Sequence, residues 1–366
     1  MGNLTKNILI LIPGEHARGG ITNYYASIRK HFPSNIIYFI RGSRHWPKKP
    51  NLLIEISRLL YDYCRFIHIV LFKDISLIQT STAFCPDSVL RDGLFIILAK
   101  LLNRRVIVFY RGWCYLFVNN LLGYRLKLFK SIFYMADGFI ELSENNMNHF
   151  RQLGYKKKIF LETTIVDIDF VKDINIENTV DKRFNKKEKT ILFLSRIETT
   201  KGIYKVLDIF KNLKLLEPDF KLVFAGDGTE LGKLKDEILK KKIKDVTITG
   251  FVQGEAKRDL FIDATMFLFL SESEGMPNAL LEAMSFGLPI ITTNVGGISS
   301  VFKNNRNGEL LNEYDITYII DKIRLISFNK AIYYSMSYAN YNDSKQKFWS
   351  DIVSKRMIEI FKEISG

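Results

Sequence analysis

Two glutamates, an arginine and a lysine carry the chemistry that residue type and spacing alone make visible. Glu274 and Glu282 flank Gly275-Met276-Pro277-Asn278, while Arg196 and Lys201 share the segment Ser195-Arg196-Ile197-Glu198-Thr199-Thr200-Lys201-Gly202. A guanidinium fork and an ammonium group are the side chains best suited to diphosphate oxygens. A carboxylate accepts two hydrogen bonds at once and suits a pair of neighbouring sugar or ribose hydroxyls. The simpler account has Glu274 complementing a helix dipole and Glu282 on a solvated face. It leaves the Gly275-Met276-Pro277 turn unexplained.

The elements that must hold these groups can be read around them. Residues 265–270, uncharged and aromatic, read as a strand buried in a parallel sheet. Pro277 suits a first helical position, and Gly287 with Pro289 ends that helix about three turns later. The free amides of a helix start therefore fall at the carboxyl end of a central strand, where open α/β sheets bind ligands and anions are favoured. Arg196 and Lys201 follow a strand over 190–194. Strands over 221–225 and 246–249 end in Gly226-Asp227-Gly228 and Gly250-Phe251-Val252, turns that let a flat base approach the backbone. The ligand implied has a base, a ribose, a diphosphate and a second polyol, which is a nucleotide-sugar.

The first half repeats the alternation. Strands are expected over 7–12, 36–40, 76–80, 106–110 and 138–142, with helices over 22–31, 52–72 and 124–134, a pattern that implies a parallel sheet. Gly19-Gly20 opens the first helix but lacks the dinucleotide fingerprint, and alone it reads equally as a plain loop. Residues 171–189 are polar and rich in lysine and asparagine, as an interdomain linker would be. The domains expected are 1–170, the linker 171–189, 190–340, and a closing helix over 341–366 that packs back on the first domain. Asp167-Ile168-Asp169 has the spacing of a metal pair, but its place before the polar stretch makes it a connection, and no metal is expected.

With 366 residues, 47% hydrophobic and 25% charged, the chain has ample core and the length of two domains. Its net charge of +14 is uneven: residues 1–170 hold 23 Lys/Arg against 12 Asp/Glu, and residues 171–366 hold 30 against 27. A basic first half suits nucleic acid, an anionic membrane surface or anionic substrates. Nucleic acid is set aside because no zinc-finger spacing, aromatic RNA-binding signature or basic zipper is present. Basic residues among large apolar ones over 52–72 and 124–134 fit helices lying on anionic lipid, and fit equally core helices whose lysines cover a solvated face. Cys64, Cys85 and Cys114 are far apart and read as buried thiols in a reducing compartment. The opening residues fit neither a signal peptide nor an acylation signal, and no span of membrane length occurs. A cytoplasmic protein, free or peripheral at the inner face of the membrane, is expected.

Leu194-Ser195-Arg196-Ile197 with Lys201-Gly202, Phe224-Ala225-Gly226-Asp227-Gly228, Thr249-Gly250-Phe251-Val252, Glu274 to Asn278 with Glu282-Ala283, and Gly287-Leu288-Pro289 with Gly296-Gly297 stand in one order over about 190–298. This series resembles the retaining glycosyltransferases of family 4, which have the GT-B fold; Leu142-Ser143-Glu144 and Val166-Asp167-Ile168-Asp169 extend the likeness faintly into the first half. The resemblance implies two Rossmann-like, doubly wound α/β domains facing across a cleft. It implies that Arg196 and Lys201 bind the donor diphosphate, Glu282 the ribose, and Glu274 with Gly275, Met276, Pro277 and Asn278 the transferred sugar. Gly20 would close on the diphosphate, with Gly226, Gly228, Phe251 and Val252 near the base. Arg196, Lys201 and Glu274 would serve the reaction, with no metal and no cofactor beyond a UDP- or GDP-linked donor.

The function implied is hexosyl transfer with retention to a saccharide acceptor, lipid-linked, in bacterial capsule, O-antigen or lipopolysaccharide synthesis. Two departures bear on the sugar rather than the class. Arg111 stands where the family often has histidine, and reads either as a ligand for phosphate or an anionic sugar or as a structural cation. Ser299 and Ser300 stand where a glutamate is frequent. The alternatives are a sugar-nucleotide epimerase, a soluble glucan synthase, or a non-catalytic nucleotide-sugar sensor.

Overall fold

The computed structural model describes residues 6–14, 20–41 and 51–366. Gly19 and the basic segment around Trp46 lie outside them. The chain forms two compact units, one of Met1–Ile165 with Ser350–Gly366, the other of Val166–Trp349.

Unit 1 holds β1 (Asn7–Pro13), β2 (Ile36–Arg41), β3 (Ile75–Phe84), β4 (Arg105–Trp113), β5 (Gly138–Glu141) and β6 (Lys158–Leu161) in the order β2-β1-β3-β4-β5-β6. Every neighbouring pair is parallel. Ile8, Leu9, Ile10 and Leu11 are all fully buried, as expected of a strand covered on both faces, and each contributes about 2 kcal/mol of apolar burial. Right-handed crossovers put the helices Leu52–Phe72, Pro86–Leu101 and Gly123–Phe133 on one face of this sheet and Gly20–Ile28 on the other.

Unit 2 holds β7 (Lys189–Leu194), β8 (Phe220–Ala225), β9 (Val246–Gly250), β10 (Met266–Phe269), β11 (Ile290–Thr293) and β12 (Gly308–Leu311) in the order β12-β11-β10-β7-β8-β9. These pairs are parallel too. From β7 the chain winds outward one way through β8 and β9, then returns to β10 and winds the other way. The gap between the carboxyl ends of β7 and β10 is therefore the switch point of a Rossmann-ordered sheet.

Two boundaries differ from the sequence reading. The polar stretch 171–189 is no free linker: it forms the helix Ile176–Asn185, inside unit 2, and its Arg183 is buried. The Arg183 guanidinium donates to the carbonyls of Ile262, Phe286 and Phe261 at 2.8, 2.7 and 2.6 Å, which satisfies a cation where water is excluded. The closing helix over 341–366 is two helices, Lys330–Lys347 in unit 2 and Ser350–Ser365 in unit 1. The latter is tied to unit 1 by Arg356, which grips Glu162 through two nitrogens at 2.6 and 2.8 Å.

The cysteines also depart from expectation. Cys64 is exposed, and Cys85 and Cys114 are half-buried. The latter two follow the paired ends of β3 and β4, so the fold makes neighbours of residues that the sequence separates. Burial, with Cys114 beside it, pushes the Cys85 thiol up to about 11.

Candidate active site at the β7/β10 switch point

The loop after β7 and the loop after β10 are held against each other by backbone first. Glu272 N donates to the Thr200 carbonyl at 2.9 Å, and Ser271 Oγ to the same carbonyl at 3.3 Å. On the opposite side Gly297 N donates to Gly275 O at 2.7 Å. Gly296, at φ +60°, passes so close that a Cβ there would lie 1.9 Å from the Glu274 carbonyl oxygen. Only glycine permits that approach.

Within this frame Lys201 and Glu274 come together. Lys201 Nζ lies 2.6 Å from Glu274 Oε1 and 3.4 Å from the Ser273 carbonyl. Arg196 leaves the same β7 loop but stays in solvent, 67% exposed, with Nη1 2.6 Å from Glu198 Oε1. One cation is thus nearly buried against Glu274, and the other is exposed and paired with Glu198.

The helix after β10 is Asn278–Ser285, two turns rather than three, and Pro277 is its cap rather than its first residue. Met276 and Pro277 are buried beneath it, whereas Gly275 and Asn278 remain half-buried at its start. Glu282, on the second turn, is 15% exposed, and its carboxylate is met at 2.6 Å by Lys257 of the helix Gly254–Asp263. Sequence reasoning missed Lys257, because Glu255-Ala256-Lys257-Arg258-Asp259 looks like an ordinary solvated turn. The only signal was its place just after Gly250-Phe251-Val252.

Gly226 and Gly228 lie in the turn after β8, half-buried, and Phe251 and Val252 follow β9, the phenylalanine 60% exposed. All of these loops leave the carboxyl edge of the same sheet, so the predicted residues of unit 2 share one edge. The helix that carries Glu282 is braced from behind: Asn340 donates to the Leu288 carbonyl at 2.7 Å, and the Ser285 and Ser344 hydroxyls pair.

Unit 1 places its own polar groups at strand ends. Gly20 begins the helix Gly20–Ile28 and is exposed. Arg111, near the end of β4, stacks on Tyr24 of that helix, 3.9 Å from the ring centroid, and on Phe109 at 4.7 Å. Burial lowers the Arg111 guanidinium below its usual value, and its Nε and one terminal nitrogen have no hydrogen-bond partner among the described residues. Arg41 and Asp92, 3.1 Å apart and both buried, form a pair that the sequence did not announce. At the end of β5 burial holds the Glu141 carboxyl well above the usual carboxylate range.

Asp167 and Asp169 serve the backbone and a lysine: Asp167 Oδ1 caps Asp169 N at 3.1 Å, and Asp169 pairs with Lys172 at 3.0 Å. Among the described residues no three His, Cys, Asp or Glu side chains cluster as a metal site would require.

Two parallel Rossmann-like sheets with a polar, amide-rich switch point define the two-domain α/β fold of the GT-B glycosyltransferases. Residues 175–343, just under half of the chain, match the family described as glycosyl transferases group 1. It is similar to a 2-deoxystreptamine N-acetyl-D-glucosaminyltransferase of Niallia circulans, 27% identical over 175 residues, 48% of this chain and 45% of that protein. It is also similar to a putative teichuronic acid biosynthesis glycosyltransferase, TuaC, of Bacillus subtilis, 31% identical over 120 residues, 33% of this chain and 28% of that protein. The chain thus spans about half or less of the length of these curated relatives. In fold it is similar to Anabaena Alr3699/HepE solved with UDP, at a TM-score of 0.77 and 14% identity, over 98% of this chain and 100% of that one.

Proposed function

We propose that the protein is a retaining glycosyltransferase of the hexosyl type, which moves a sugar from a UDP- or GDP-linked donor to a saccharide acceptor without a metal ion. The observation that carries this reading is the meeting of Lys201 and Glu274 at the switch point, beside the start of the helix Asn278–Ser285. An ammonium and free amides on one side and a carboxylate on the other match a diphosphate joined to a polyol.

In this mechanism the bond between the anomeric carbon and the diphosphate oxygen breaks, and negative charge builds on the leaving group. Arg196, Lys201 and the backbone N–H groups of Gly275, Met276 and Asn278 stabilise that charge as it develops. The acceptor hydroxyl attacks from the same face, and its proton passes to a donor phosphate oxygen. No protein nucleophile is required, so Glu274 orients the sugar and Glu282 the ribose, and neither takes the roles of the two carboxylates of a glycosidase.

The acceptor in this reading is lipid-linked, and the product belongs to a bacterial surface polysaccharide such as capsule or lipopolysaccharide, made by an enzyme peripheral to the cytoplasmic face of the membrane. The likeness to a putative teichuronic acid biosynthesis glycosyltransferase supports it.

Thermal-shift titration with UDP-, GDP- and ADP-sugars in metal-free buffer tests the proposal. One sugar nucleotide should stabilise the protein, and Arg196→Ala and Glu282→Ala should each remove the response. Transfer followed by NMR should then give a product with the donor's anomeric configuration. Interconversion of the free sugar nucleotide without transfer would identify an epimerase instead.

A further inference from the structure

The helix Leu52–Phe72 is apolar on two sides: Phe66 and Val70 are buried in the core, and large apolar side chains also face solvent. Its charges point inward and neutralise one another: Arg58 pairs with Glu55 and, at 3.3 Å, with Asp62, and Arg65 lies 3.7 Å from Asp62, which is 1% exposed. Arg65 also covers the Phe39 ring, 4.2 Å from its centroid. Its outer face instead shows Leu53, Ile56, Leu60, Leu71 and Phe72, with Leu53 80% exposed. An ordinary surface helix carries charged or polar side chains on that outer face.

The two neighbouring helices continue this face. Tyr63 packs on Phe95 of the helix Pro86–Leu101 at 4.7 Å between ring centroids, and Gly93 of that helix lies against Ile132 of Gly123–Phe133. Along this layer Leu90 and Leu101 are 74% and 72% exposed, and Leu128 is 58% exposed. Single exposed leucines are unremarkable, but an apolar surface shared by three packed helices is an interaction site.

Charge selects the occupant. Lys73, Arg125 and Lys127 are exposed at the ends of these helices, and no carboxylate pairs with any of them among the described residues. The exposed carboxylates of the layer are Asp87 and Asp74, the second held by Lys6 at 3.6 Å. A second copy docked through the same face would bring this positive rim against itself. An anionic bilayer complements it, and no helix among the described residues is long and apolar enough to cross one.

We infer that the layer formed by Leu52–Phe72, Pro86–Leu101 and Gly123–Phe133 is a docking face for an anionic lipid surface, its leucines entering the headgroup region and Arg125 and Lys127 meeting lipid phosphates. The inference stands on surface chemistry and holds whatever the donor is.

Co-sedimentation of the full chain with vesicles of phosphatidylcholine alone, or with 30% phosphatidylglycerol, tests it. Binding is expected only to the anionic vesicles and should fall with added salt. A basic residue near an anionic surface contributes about fivefold to partitioning, so Arg125→Ala/Lys127→Ala should weaken binding about 25-fold. Leu60→Glu/Leu94→Glu/Leu128→Glu, all exposed positions, should abolish it. The donor thermal shift of each variant separates a folded protein from an unfolded one, and a failed docking face from a failed donor site. No binding to anionic vesicles, or binding that both variants retain, overturns the inference. So does a wild-type dimer that the leucine substitutions convert to monomer, because a second copy then covers the face.

Discussion

Lys201 Nζ and Glu274 Oε1 are 2.6 Å apart, with the two side chains only 11% and 12% exposed, and this contact joins the loop after β7 to the loop after β10. Removing the ammonium strands a carboxylate that water barely reaches. Lys201→Met should therefore lower unfolding free energy by about 2–3 kcal/mol in urea titration and abolish the donor response. Lys201→Met/Glu274→Leu should recover part of that stability and none of the activity. Equal stability of the two variants would show that the unpaired carboxylate costs the fold nothing.

Lys257 Nζ, from the neighbouring helix, lies 2.6 Å from both oxygens of Glu282 and fixes the carboxylate that we assign to the ribose. Lys257→Gln should weaken donor binding about 5- to 20-fold by calorimetry, with kcat little changed, because the contact is common to ground and transition states. In a Glu282→Ala background the same substitution should have almost no further effect.

Gly296→Ala forces a Cβ to within 1.9 Å of the Glu274 carbonyl at φ +60°. The loop must move, at a cost of about 2 kcal/mol or more, and donor binding should be lost with it. Gly232→Ala is the control: it lies in the helix Leu231–Lys240 with nothing within 4 Å of the added Cβ, and should raise stability by about 0.5–1 kcal/mol. Thermal denaturation of the two variants side by side checks both signs.

Glu141 makes stability depend on pH. Burial raises its pKa in the folded protein, so over the range above the ordinary carboxylate pKa the folded state keeps a proton that the unfolded state releases. Stability must fall as pH rises through that window and return as pH drops. Glu141→Gln, which is neutral at every pH, should flatten this part of the profile and stabilise the protein at pH 8 more than at pH 5. Denaturant midpoints at the two pH values measure the difference.

Much of unit 2's edge was legible because its signals are local. Uncharged runs such as Met266–Phe269 mark strands buried on both faces, and Gly226, Pro277 and Gly287 punctuate the chain where loops must turn. The alternation of strand and helix then requires a parallel sheet, and a parallel sheet collects its loops at the carboxyl edge, so Arg196, Lys201, Glu274 and Glu282 could be assigned to one side of one sheet.

The structure alone supplied what depends on contacts between distant residues. The short edge strands β6 and β12 escaped because an edge carries polar residues such as Lys158 and Glu309 that obscure the apolar run. The helix Lys330–Lys347 escaped because it turns Asn340, Asp343 and Ser344 inward, where Asn307, Arg306 and Ser285 satisfy them. The linker became a helix for the same reason, since Arg183 finds three carbonyls that lie about 80 and 100 residues further on. Residue type and period determine which groups reach the edge of a sheet; which cation meets which carboxylate there depends on packing between elements far apart in the chain.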